Sequence, residues 1–268
     1  MSEAISFQAL RGADPATVRQ AIRSGRYAGH TAGLAQGRLQ TNLVILPGEL
    51  ASDFRDFCLR NPQPCPLVGM TEPGSPYLPA LGQIDLRTDV PGYCIYRDGE
   101  LAETVPDLQG HWRDDLVGFA LGCSFTFEHA LIAAGIPMHH VDADRTVPMY
   151  RSSIMTQPAG PFGGGMVVSM RRIAREQVEL ARSISATFGC AHGAPVHVGD
   201  PEEIGIADLD RPDWGDPPCG PEGVNVFWAC GVTPQNALAR ARPPFCITHM
   251  PGQMLIADIT DAEARLLA

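Results

Sequence analysis

Met155-Thr-Gln-Pro-Ala-Gly-Pro-Phe-Gly-Gly-Gly-Met166-Val-Val-Ser-Met170 is the stretch whose reading decides the fold. A glycine run can cradle a phosphate when a strand precedes it and a helix follows, because the helix N-terminus then faces the anion. Here the glycines lead into Met166 to Ile173, an apolar run that reads as a strand, and Tyr150 to Thr156 before them reads as another. A nucleotide loop is therefore excluded. Two readings remain: close backbone approach to a small ligand, or a tight strand connection that needs positive φ.

Working outward, Asp14-Pro15 opens a helix that Gly25 stops, and Leu43 to Leu46 is a buried strand ending at Pro47-Gly48. Glu49 to Arg60 has helical spacing, Cys65 to Pro91 is proline- and glycine-rich loop, and Tyr93 to Leu101 is a hairpin turning at Asp98-Gly99. From Asp115 to Ala134 the apolar positions follow a helical stripe, broken at Gly122, with a fresh helix capped by Ser124. Ala174 to Phe188 is an amphipathic helix, and Pro195 to Val198 a short strand. Ile206 to Pro221 is an acidic, proline-rich connector or lid. Strands at Val224, Phe245 and Gln253 enclose a short helix from Thr233. The expected class is α/β: a mixed-sheet main domain (1–120 plus 215–268) with a smaller two-layer α/β domain (121–214) inserted.

The 268 residues carry a formal charge of −10, which argues against nucleic acid or an anionic membrane as partner. No apolar run reaches the roughly 20 residues of a membrane span. The opening Met-Ser-Glu-Ala-Ile-Ser-Phe lacks the basic and apolar regions of a signal peptide, so a cytoplasmic location is expected. Eight scattered cysteines without a CxxC pair read as free thiols. All 20 basic residues are arginine. Without lysine, Schiff-base chemistry and a Walker-type phosphate loop are ruled out.

Three clusters could carry chemistry. Arg151, Ser153, Thr156 and Gln157 stand beside Gly163, Gly164 and Gly165. A planar guanidinium with hydroxyls next to bare backbone suits a carboxylate, whereas an edge strand with a solvated arginine is the plain alternative. In Gly122-Cys123-Ser124-Phe-Thr-Phe-Glu128-His129, a helix starting at Ser124 offers free N–H groups to an anion. Cys123 there would have a lowered pKa, and Glu128 would be placed for proton transfer. A capped helix with a buried cysteine explains the same residues. The third cluster, Cys190 to His197 with Asp200, has no established metal spacing, and His192 is its acid–base candidate.

Asn42 to Pro47, Arg60 to Pro66, Gly122 to Glu128, Tyr150 to Gln157 and Phe162 to Arg171 together resemble a hydro-lyase family related to D-glutamate cyclase. The resemblance covers nearly the whole chain. It implies a two-part α/β fold and loss of water from a small amino or hydroxy acid, such as D-glutamate closing to 5-oxoproline. That reaction needs a cation for one carboxylate, a base for the ammonium and an acid for the departing oxygen. In this reading Arg151 and Ser153, with Thr156 and Gln157, hold a carboxylate. The amides of Gly163 to Gly165, or the helix start at Ser124, stabilise the oxyanion. Glu128 or His192 moves protons, and Cys123 is a supporting polar group or a nucleophile. The opening stretch is then the floor of a small-acid site. No cofactor and no metal ligand are expected for cyclisation, and the small carboxylate is the partner; a homo-oligomer is left open. The alternatives are a dehydratase using a divalent metal and a non-catalytic binder of small carboxylates.

Overall fold

The structure is a computed structural model that describes residues 4–143 and 145–267. In chain order its elements are α1 (Phe7–Leu10), α2 (Pro15–Arg23), β1 (Arg38–Pro47), α3 (Gly48–Arg60), β2 (Leu67–Met70), β3 (Tyr93–Arg97) and β4 (Glu100–Val105). There follow β5 (Leu116–Gly122), α4 (Phe125–Ala133), α5 (His139–Asp142), β6 (Met149–Met155), β7 (Gly165–Ile173) and α6 (Val178–Ala186). The last are β8 (His197–Val198), β9 (Val224–Ala229), α7 (Val232–Ala241), β10 (Phe245–His249), β11 (Leu255–Thr260) and α8 (Asp261–Ala264). No helix among the described residues is long and apolar enough to cross a membrane.

Helices and strands mix as the α/β class requires, and every ladder among the described residues is antiparallel. A seven-stranded sheet runs β2-β5-β1-β10-β3-β4, with β11 also on β1, and a four-stranded sheet runs β6-β7-β9-β8. Strand β1 organises the first. One edge takes β5 from Thr41–Gly122 to Pro47–Leu116, while β11 and then β10 share the other. From Leu43 to Leu46 its side chains are apolar on both faces because both are covered. Leu39, Leu43 and Ile45 enter the large core, and Val44 and Leu46 meet Phe54 and Phe57 of α3 in a second one.

Two expectations change. Leu116 to Gly122, read as the first part of a helical stripe, is the fully buried strand β5. A strand buried on both faces is a continuous apolar run, which periodicity does not separate from a buried helix. And β9, assigned by the sequence reading to the main sheet, pairs with β7 from Val168–Ala229 to Ile173–Val224. The large core joins the sheets: it holds Leu43 and Ile45 of β1, Phe127 and Leu131 of α4, Ala181 of α6 and Trp228 of β9. Each of the leucine, isoleucine and phenylalanine side chains contributes roughly 1.5–3 kcal/mol by leaving water.

The opening stretch proves to be the tip of the β6–β7 hairpin. Gly164 adopts φ +129, a conformation open to glycine, and its carbonyl accepts from the Thr156 amide (2.9 Å) and hydroxyl (2.7 Å). The tip docks on the C-terminal end of α3: Asn61 accepts from the Gln157 amide and donates to the Gln157 carbonyl, both at 2.8 Å. Phe162 inserts between Phe54 and Phe57, edge-on to Phe54 at 5.1 Å. Phe162→Ala is expected to cost about 3–5 kcal/mol, because it removes a fully buried ring with little room to collapse. Urea denaturation with an unchanged m-value reads this directly; a loss below about 1 kcal/mol would show that the tip is not part of the core.

Candidate active site

Strand β7 carries Ser169 and Arg171 two residues apart, so both project from one face of the small sheet. Facing them is α4, which starts where β5 ends. Arg171 is buried and donates from Nε to Glu128 Oε1 at 2.9 Å and from Nη2 to the same oxygen. Its other hydrogens go to Ser124 Oγ (3.3 Å), Ser169 Oγ (2.8 Å) and the Ser169 carbonyl (3.5 Å). All five donors of the guanidinium are used. The rings of Phe127 and Trp228 lie 5.4 and 5.3 Å from its carbon, adding a cation–π contribution. His140 Nε2 reaches to 3.2 Å of Glu128 Oε1 without hydrogen-bond geometry.

Glu128 and Ser124 thus touch Arg171, while Cys123 and His192 lie within its field, and the roles of all four change. Burial pushes the Glu128 carboxyl up, yet the Arg171 charge and His140 outweigh it and hold the pKa at about 2. An acid so tightly paired is an anchor for Arg171, not a proton carrier at neutral pH. Ser124 stands at the helix start in αR conformation and caps nothing with its side chain; its oxygen is taken by Arg171. Cys123 does not have the lowered pKa expected at a helix start. Burial raises the thiol to about 12, against the pull of the Phe125 amide.

His192 is wholly buried and holds a left-handed φ of +77, unusual for a residue with a Cβ. Its Nδ1 is 2.7 Å from the Gln63 carbonyl, which can only accept, so Nδ1 carries the hydrogen. Nε2 is then a bare lone pair, and it has no protein partner among the described residues. Burial pulls the imidazole down, the Gln63 carbonyl raises it and the Arg171 charge adds to the fall, leaving it at about 4. At neutral pH the ring is a neutral acceptor within the field of Arg171. The segment carrying it lies against the end of β5, where a Cβ on Gly122 would collide with the Cys190 carbonyl.

Arg171, Ser169, Cys230 and Asn42 were not singled out for a role from the sequence. The available signal for the first two was an arginine and a serine at i, i+2 inside an apolar strand. Cys230 ends β9 as Cys123 ends β5. Burial raises its thiol also, against the pull of the Val232 amide. Asn42 ties the two junctions: its Nδ2 donates to the Gly122 carbonyl at 3.3 Å and leaves no space for a Cβ on Gly231, while Oδ1 is 3.0 Å from His249 Nε2.

The remaining candidates lie elsewhere. Arg151 is 59% exposed, paired with Asp213 and stacked on Trp214 at 4.5 Å. Ser153 is exposed against Gly205, and Thr156, Gln157, Gly163, Gly164 and Gly165 form the hairpin tip. The glycines are therefore the tight strand connection, and the floor of the site under Arg171 is built from β7, β9 and α4. Among the described residues no three His, Cys, Asp or Glu side chains gather as a metal site.

The D-glutamate cyclase family model matches residues 117–258. A Dinoroseobacter shibae protein named "Putative hydro-lyase" is 60% identical over 264 residues, covering 97% of this chain and 88% of its own length. A Jannaschia protein of the same name is 58% identical, covering 94% of this chain and 96% of its own. "Putative hydro-lyase SPO1111" of Ruegeria pomeroyi is 57% identical, covering 97% and 95%.

Arg171→Met leaves Glu128 buried without its counter-charge and is expected to destabilise by about 3–5 kcal/mol, part of which Glu128→Gln in the same chain restores. The two titrating groups separate by pH. His192 falls from 6.5 unfolded to about 4 folded, so unfolding takes up a proton: its contribution is complete above 6.5 and is lost as pH drops toward 4. Glu128 falls from 4.5 to about 2, so its contribution is complete above 4.5 and is lost toward 2. Urea midpoints across pH should have a shallower upper slope in His192→Asn and a shallower lower slope in Glu128→Gln, where Asp14, Asp115 and Glu263, also lowered, retain the rest. Buried His249, also lowered, retains some of the upper one.

Proposed function

Because the chain belongs to the D-glutamate cyclase family, with relatives that carry the name "Putative hydro-lyase", we propose that it removes water from a small amino or hydroxy acid at the Arg171 centre, with D-glutamate cyclisation to 5-oxoproline as the specific reaction. The observation that carries this reading is the bare, buried Nε2 of His192 within the field of a saturated guanidinium. Arg171 has no donor to spare for substrate. Instead, Ser124 and Ser169 each accept from it, and neither hydroxyl hydrogen is paired with a protein acceptor among the described residues. Two hydroxyls polarised by a cation, away from water, are donors for an oxyanion.

Cyclisation needs the substrate ammonium to lose a proton before its nitrogen attacks the side-chain carboxyl. His192 Nε2 accepts that proton. The C–N bond forms, negative charge gathers on the carboxyl oxygens, and the Ser124 and Ser169 hydroxyls hold it. The imidazolium returns its proton to one carboxyl oxygen, Nε2 takes a second proton from the attacking nitrogen, and the C–O bond breaks as that proton passes to the same oxygen, which leaves as water. Two ammonium protons leave in the water and the third stays on the lactam nitrogen, so no proton is consumed overall. An anionic substrate beside the ring raises the imidazole pKa toward the range in which this exchange is efficient. Cys123 and Cys230, kept protonated by burial, line the site as neutral groups. A crevice of about 20 Å³ lined by His140, Arg171, Pro218 and Cys219 reaches the guanidinium from outside.

Proton NMR of the protein with D-glutamate, L-glutamate and 5-oxoproline, with and without added divalent metal, tests the proposal. Conversion of D-glutamate without metal is the expected result, falling about 10²–10⁴-fold in His192→Asn with circular dichroism unchanged. Conversion only with metal would favour the dehydratase alternative, and saturable binding without turnover the non-catalytic binder.

A further inference from the structure

On the far side of α7 a cavity of about 190 Å³ opens between α7, β10 and the β3–β4 hairpin and is closed by Arg151 and Trp214 from the small-sheet side. Its volume is about six waters' worth of liquid. Leu238, Pro243 and Cys246 give it apolar walls, Thr248 and Gln235 add neutral polar groups, and Arg151 is the sole charged residue lining it. The guanidinium is held in place. Trp214 stacks beneath it at 4.5 Å, and Trp214 itself bridges to Met149 in β6.

The pairing with Asp213 is asymmetric. Asp213 takes Nη1 and the Arg151 backbone amide (2.8 Å), and it does not line the cavity. Nε and Nη2 have no protein acceptor among the described residues, and they form the edge of the fork that grips a carboxylate bidentately. Asp213 thus positions the arginine without occupying that edge. The rest of the lining has no second cation for another carboxylate and no carboxylate for an ammonium.

We propose that this cavity is a second ligand site, separate from the Arg171 centre, for a small monocarboxylate with a compact apolar body: the carboxylate on Nε and Nη2 of Arg151, the body against Leu238 and Cys246. The site does not depend on the reaction proposed above, and binding can be read without turnover.

Isothermal titration with cyclopentanecarboxylate, its neutral counterpart cyclopentylmethanol and the dicarboxylate glutarate tests this. The expected result is saturable one-to-one binding of the monocarboxylate, with the alcohol weaker by about tenfold or more because the charge-assisted pair is lost. Arg151→Met should erase that preference. Ala239→Trp, a change at an exposed position on the rim, should block all three while leaving the circular dichroism spectrum intact. No binding up to about 10 mM, equal binding of acid and alcohol, or binding unchanged in Arg151→Met would overturn the site. Tighter binding of glutarate than of the monocarboxylate would overturn the ligand class.

Discussion

The buried pair of Arg171 and Glu128 is the interaction on which the site depends. Taking two charges out of water costs several kcal/mol for each ion, and only near-complete satisfaction offsets it. The molecule meets that demand with every guanidinium hydrogen placed, Phe127 and Trp228 beside it and His140 near the carboxylate. The pair also joins the architecture. Arg171 belongs to the small sheet, while Glu128 lies on the helix that grows directly out of the large one. Each partner therefore fixes where the other's element sits.

A saturated ion pair changes what kind of chemistry the site offers. Its net charge is zero, so it does not attract a substrate by charge alone. It supplies direction instead, through the hydroxyls of Ser124 and Ser169, in surroundings dry enough to keep both neighbouring thiols protonated. His192 complements it as a neutral acceptor. Its tautomer is set by one carbonyl, and its left-handed backbone is a local strain that the packing around β5 sustains. A fixed, neutral, water-poor site of this kind has little to reorganise when charge develops.

The glycine-rich hairpin and Arg151 show a division of labour along the same two strands. The tip uses its glycines to turn tightly and to deliver Phe162 into the second core, holding the small sheet to α3. One turn of pleat back, Arg151 faces outward over Trp214, while Tyr150 faces inward and donates to the Leu209 carbonyl at 2.7 Å. Strand alternation separates these tasks. The polar residues of β6 therefore do not gather with the glycines into one receptor.

From the sequence alone came the elements governed by local chemistry: the Asp14 cap with Pro15, the Asp98-Gly99 turn, the helix ending at Arg60 and the strand after the glycines that removed a nucleotide loop. It also brought Cys123, Ser124, Glu128 and His192 forward, because a thiol, a hydroxyl, a carboxyl and an imidazole can each donate or accept a proton. Only tertiary structure decided the rest. Leu116 to Gly122 carries no periodicity that separates strand from helix once both faces are buried. The partner of β9 depends on a ladder formed across more than 50 residues of chain, from Val168 to Ala229. Glu128 could not be known as an anchor, nor Cys123 as a high-pKa thiol, until Arg171 and the surrounding core were in place. A side chain's type is written in the sequence; its charge state and freedom are set by what the fold packs against it.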